Sequence, residues 1–162
     1  MATPTRSVLF VCTGNIFRSL TAERALRRAL GAGSGVAVAS AGTASVPDLR
    51  VRGDVVAYLS GKGLDVSDHQ RRTLTAEIVQ GTDLVVAMNS DHRRFLSEQF
   101  GVEAPLYTAA VGGEAVDLPD VNDLFRPEDY FTDAAMQHVR DTIDRIVADA
   151  PALGRRLSRG EI

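Results

Sequence analysis

The chain has 162 residues, 44% of them hydrophobic and 24% charged, which suits one soluble domain with a substantial core and is too short for two ordinary ones. A formal net charge of -3 gives nucleic acid no electrostatic footing, and a single cysteine excludes an intrachain disulfide framework and any cysteine-only metal site. No apolar run approaches membrane-spanning length, and the start, Met-Ala-Thr-Pro-Thr-Arg, lacks a signal-peptide segment, so a free thiol in a reducing cytoplasm is expected, with no membrane partner.

Residues 8–11, Val-Leu-Phe-Val, form an apolar run of the kind buried on both faces of a parallel sheet. The run delivers Cys12 to the sheet's C-terminal edge. From Ser19 the pattern turns helical: Leu20, Ala22, Ala25, Leu26, Ala29 and Leu30 recur at helical spacing, interleaved with Glu23, Arg24, Arg27 and Arg28. Residues 13–18 are therefore a tight strand-to-helix loop. A turn-rich connector, residues 31–35, leads to a second strand over 36–39 and then to Ser40-Ala-Gly-Thr43. Residues 44–50 form a loop, and a second helix is predicted over 51–62 with Val51, Val55, Tyr58 and Leu59 inward.

Asp68-His69 follows, then a short helix over 75–80 and a third strand over 84–88. The segment 90–101 reads as a helix with Phe95, Leu96 and Phe100 on its apolar stripe and His92, Arg93 and Arg94 on a solvated face. A short fourth strand is predicted around 105–107 and a long functional loop over 108–131. The last helix runs over 132–149, capped by Thr132 or Asp133 and ended by Pro151. Alternating strands and helices predict a single α/β domain over 1–162: three layers, a four-stranded parallel sheet with helices on both faces, and flexible tails at 1–6 and 155–162.

The first loop carries the chemistry. Its backbone N–H groups and the unpaired N–H groups opening the helix converge at the positive end of the helix dipole, which makes an anion cradle. Gly14 lets the backbone bend there. Cation and dipole favour the thiolate of Cys12, the nucleophilic form. Arg18 offers a planar fork for two phosphate oxygens, and Ser19 can donate its hydroxyl to the sulfur. Such a set suggests a nucleophile that attacks a phosphorus whose oxygens are already held.

Cys12-x5-Arg18-Ser19 opening the first helix after an N-terminal strand, with Gly14-Asn15 inside it, resembles the low-molecular-weight protein tyrosine phosphatase family. Residues 40–43, 68–74, 82–88 and Asp117-Leu-Pro-Asp120 fall in that family's order, so the resemblance spans nearly the whole chain. It implies a metal-independent phosphomonoester hydrolase without cofactor, acting through a phosphocysteine on protein phosphotyrosine or a small phosphomonoester. By the same resemblance Cys12, Arg18 and Asp120 are catalytic, with Asp120 the general acid beside its acidic neighbours Asp117 and Asp123. Thr13, Gly14, Asn15, Ile16, Phe17 and Arg18 bind phosphate, and Ser19, Ser40 and His69 support the loop through a polar network around Asn15. A monomer or weak dimer is expected.

Two positions depart from the family. Phe17 stands where relatives commonly carry a second cysteine, so no internal disulfide can protect Cys12 from peroxide. Asp120 is followed by Val121, Asn122 and Asp123 rather than by proline and an aromatic pair, which leaves Phe125 or Tyr130 to wall the substrate ring. The alternatives are a phosphatase of a sugar or metabolite phosphate and a non-catalytic phosphate- or phosphotyrosine-binding module. A thioredoxin-linked arsenate reductase would need additional cysteines.

Overall fold

The apolar run predicted at the start is the central strand, β1 (Ser7–Cys12), of a computed structural model that describes residues 4–44 and 50–162. Most of the loop assigned to 44–50 lies outside the described residues. β1 pairs in parallel with β2 (Ala37–Gly42) on one side and β3 (Leu84–Ala87) on the other, with Cys12 opposite Gly42 and Val11 opposite Ala87. Period-two alternation along β1 divides the core. Val8, Phe10 and Cys12 face α1 (Arg18–Leu30) and α7 (Asp133–Ser158), whereas Leu9 and Val11 face the layer holding α3 (Ala76–Gln80) and α4 (Ser90–Phe100). The far side of α1 packs on α2 (Gly53–Gly61) and α7 through Leu20, Leu59, Val139 and Ile143. Helices therefore cover both faces.

The expected fourth strand shrinks to one bridge, Leu106 opposite Ala87, so the sheet has three strands among the described residues rather than four. Pro105 has no N–H to extend a ladder, and Tyr107 already begins a short helix, α5 (Tyr107–Ala110). The buried Tyr107 donates its hydroxyl to the Ile146 carbonyl at 2.6 Å, a contact that draws the segment into helix over the core. The long loop predicted after it also holds α6 (Val121–Leu124) and a 3-10 turn (Pro127–Asp129).

Pro151 does not end the last helix, which continues to Ser158 and takes in the first residues of the expected C-terminal tail. A proline inside a helix costs about 3 kcal/mol. The turns beyond it bury Leu153 and Leu157, each contributing roughly 1.5–3 kcal/mol. Burial outweighs the break.

Candidate active site

The loop between β1 and α1 is shaped by where its carbonyls go. Those of Cys12 and Thr13 accept from the Thr43 and Ala44 amides at 2.9 and 3.1 Å. The Gly14 carbonyl accepts from Arg71 Nε at 3.1 Å, and the Asn15 carbonyl bonds His69 Nε2 at 2.7 Å. All four are held on the outside of the loop. In a planar trans peptide the N–H points opposite its carbonyl, so the amides of residues 13–16 turn inward. α1 then begins with no side-chain cap and no acidic residue in its first turn, which leaves its leading N–H groups for an anion.

The bend assigned to Gly14 falls on Asn15, whose φ of 54° is left-handed, a conformation that asparagine tolerates better than most residues. Asn15 is held there by its side chain. Its Nδ2 donates to Ser19 Oγ at 3.0 Å and to Ser40 Oγ at 2.8 Å, while Oδ1 accepts from the Arg72 amide at 2.9 Å. Gly42 makes room: a Cβ there would collide with the Thr13 carbonyl oxygen. Ser19, Ser40 and His69 thus converge on Asn15 from three segments of the chain.

These bonds fix the direction of each proton. Asn15 Nδ2 can only donate, so Ser19 Oγ accepts from it and keeps its own O–H for the Cys12 sulfur, 2.9 Å away. Ser40 likewise accepts from Asn15 and donates to Glu23 Oε1 at 3.0 Å. Glu23 belonged to the expected polar stripe of α1, yet it is 5% exposed and paired with Arg24 Nε at 2.7 Å. Its spacing of four from Ser19, on the same helix face, is the sequence signal that marks it.

Arg18 is buried and donates from Nη1 to the Leu118 carbonyl at 2.9 Å, while Nη2 lies 3.4 Å from Asp120 Oδ2. The three acids of the neighbouring loop have separate tasks. Asp117 accepts from the Ser90 amide and hydroxyl at the start of α4, at 2.8 and 2.7 Å. Asp123 accepts from the Asp120 amide at 2.8 Å. Asp120, its side chain 28% exposed, lines the pocket with Cys12 and Arg18. On its other flank His138 Nε2 bonds the Pro119 carbonyl at 2.8 Å, tying this loop to α7.

The pocket, about 390 Å³, is also lined by Thr13, Gly14, Ile16, Phe17, Arg52, Val55, Tyr130 and Phe131. Of the two aromatics expected to wall it, Tyr130 does so, whereas Phe125 packs against His138 with ring centroids 6.3 Å apart. Phe131, unpredicted, is 78% exposed at the mouth with the Arg52 guanidinium 4.6 Å from its ring centre.

His92 is not on a solvated face. It is 2% exposed, its Nδ1 accepting from the Asn89 amide at 3.2 Å and its Nε2 lying 2.9 Å from Thr13 Oγ1. The spacing Asn89-x-x-His92 is that of a capping box and could have revealed it. Burial first, and the nearby Arg18 charge second, push the imidazole down to about 3. The folded state therefore refuses a proton that the unfolded chain accepts near 6.5. This contribution to stability is complete above pH 6.5 and falls as the pH drops from there toward 3, by up to about 1.4 kcal/mol per pH unit. Urea midpoints measured between pH 7.5 and 4.5 should fall more steeply for wild type than for His92→Gln; equal slopes would contradict the assignment.

The profile of the low molecular weight phosphotyrosine protein phosphatase family matches residues 7–158. A relative from Ralstonia solanacearum, named "Probable low molecular weight protein-tyrosine-phosphatase EpsP", is 30% identical over 151 residues, covering 92% of this chain and 99% of its own. Among solved structures, the low molecular weight protein tyrosine phosphatase from T. tengcongensis is 28% identical, with TM-score 0.77 and coverage of 93% of this chain and 98% of that one. The YwlE arginine phosphatase from Geobacillus stearothermophilus is 25% identical, with TM-score 0.79 and coverage of 98% and 96%.

Proposed function

Because the chain belongs to the low molecular weight phosphotyrosine protein phosphatase family and is thus a phosphoric monoester hydrolase, we propose that Cys12 is its nucleophile, Arg18 its phosphate anchor and Asp120 its general acid. The observation that carries this reading is the Cys12 sulfur accepting from Ser19 at 2.9 Å, beneath an arc of inward amides and beside the Arg18–Asp120 pair. The thiolate attacks phosphorus in line while Arg18 and the loop amides hold the three non-bridging oxygens. Asp120, protonated, gives its proton to the leaving oxygen as the P–O bond breaks. Asp120, now a carboxylate, takes a proton from water, which attacks the phosphocysteine and expels the thiolate onto the Ser19 hydroxyl. No step calls on a metal.

The substrate we infer is protein phosphotyrosine, turned over in the cytoplasm, where a lone free thiol is at home. Ile16, Phe17, Val55, Tyr130 and Phe131 offer apolar and aromatic walls suited to a phenyl ring. Phosphoarginine is the second reading, since a structural relative bears an arginine phosphatase name. A guanidinium group would call for a carboxylate besides Asp120, and among the described residues the wall carries the cation Arg52 instead. Phosphotyrosyl and phosphoarginyl versions of one peptide decide between them: kcat/KM should favour phosphotyrosine by more than tenfold, and the reverse ratio would overturn the assignment. A protein that binds vanadate yet releases no phosphate from either would be a binding module.

A further inference from the structure

We propose that His92 and Thr13 form a polarised dyad in which the imidazole, by donating to Thr13 Oγ1, turns the threonine's only hydroxyl proton toward the phosphate and makes that side chain an additional phosphoryl ligand. The proposal rests on the site assigned above, in which residue 13 was expected to contribute its backbone. The Asn89 amide can only donate, so His92 Nδ1 must accept at 3.2 Å and the ring's one proton sits on Nε2. Nε2 then donates to Thr13 Oγ1 at 2.9 Å. A hydroxyl that accepts there cannot return its proton along the same line. Among the described residues Thr13 Oγ1 bonds no carbonyl or carboxylate, so its donor remains unspent.

Thr13 follows the nucleophile directly and lines its pocket. An unspent donor beside a bound phosphoryl group makes a charge-assisted hydrogen bond, stronger than a neutral one. The neutral, buried state of His92, pushed down to about 3, keeps the polarity of the dyad fixed across the pH range of an assay. A protonated ring would lose its Nδ1 acceptor and with it the bond to the Asn89 amide. His92 is thus a positioning residue, because it acts on the phosphate only through Thr13.

The test measures inhibition constants for inorganic phosphate and orthovanadate, with kcat and KM for an aryl phosphate, in wild type, Thr13→Val and Thr13→Ser. Valine keeps the shape of threonine without the hydroxyl, and phosphate should bind about tenfold more weakly; serine, which restores the hydroxyl, should recover most of that loss. His92→Ala should weaken phosphate binding in the wild-type background and add less than twofold in the Thr13→Val background. Unchanged phosphate binding in Thr13→Val overturns the dyad, as does a His92→Ala penalty of equal size in both backgrounds. If His92→Ala does not fold, the nitrogen-15 shifts of the His92 ring in wild type decide its part: a proton on Nε2 supports the dyad, and a proton on Nδ1 overturns it. A wild type that binds no phosphate would overturn the site assignment itself, an outcome distinct from phosphate binding indifferent to residue 13.

Discussion

Cys12→Ser should reduce aryl phosphate turnover by about five orders of magnitude, to the floor of a steady-state assay, while the protein stays folded and still binds phosphate. The loss is chemical. A serine hydroxyl is far less acidic than a thiol, so little alkoxide forms, and a phosphoserine ester would expel a much poorer leaving group than thiolate. The fold should tolerate the change because position 12 is a small buried site at a strand end whose one side-chain partner among the described residues, Ser19 Oγ at 2.9 Å, can pair with a hydroxyl as readily as with sulfur. The anion arc is untouched, since its shape depends on the carbonyl bonds of residues 12–15 and on Asn15. Calorimetric binding of phosphate, set beside turnover, checks both halves. Measurable catalysis by a pure Cys12→Ser preparation would remove Cys12 as the nucleophile.

What the sequence made legible was local. Val8–Val11, the switch to helical spacing after Ser19 and the Cys12–Arg18 interval each lie within about a dozen residues, and the strand, loop and helix stand where those signals put them. Tertiary contacts decided the rest. His92 reads as polar surface until α4 is laid against the Thr13 loop, 79 residues earlier in the chain. Glu23 reads as solvent-facing until Ser40 arrives from β2 beside it. Pro151 is a stop signal by itself and is overridden only because Leu153 and Leu157 find a core. Among Asp117, Asp120 and Asp123 composition makes no choice and the family resemblance picks Asp120; in the structure all three carboxylates accept from backbone amides, and Asp120 is the one that also meets Arg18 and lines the pocket.

The choice of Asp120 gives the second large effect. Asp120→Ala should slow hydrolysis by about a hundred- to ten-thousandfold for a substrate with a poor leaving group, and much less for one whose phenolate departs without help. General acid catalysis matters in proportion to the basicity of the departing oxygen, so a series of substituted phenyl phosphates should show a steep leaving-group dependence in the variant and a shallow one in wild type. Lost packing cannot mimic that split: it would lower all rates together. Asp120→Asn sharpens the comparison, because an amide can still accept from the Val121 amide, at 2.8 Å in wild type, and so keep the start of α6, but it has no acidic proton to give. Asp123→Asn should leave the leaving-group dependence shallow, since that carboxylate holds the Asp120 amide rather than meeting Arg18. If the steep dependence followed Asp123 instead, the acid would have to be reassigned, and with it the reading of the Arg18–Asp120 contact as the arrangement that holds a proton donor over the loop.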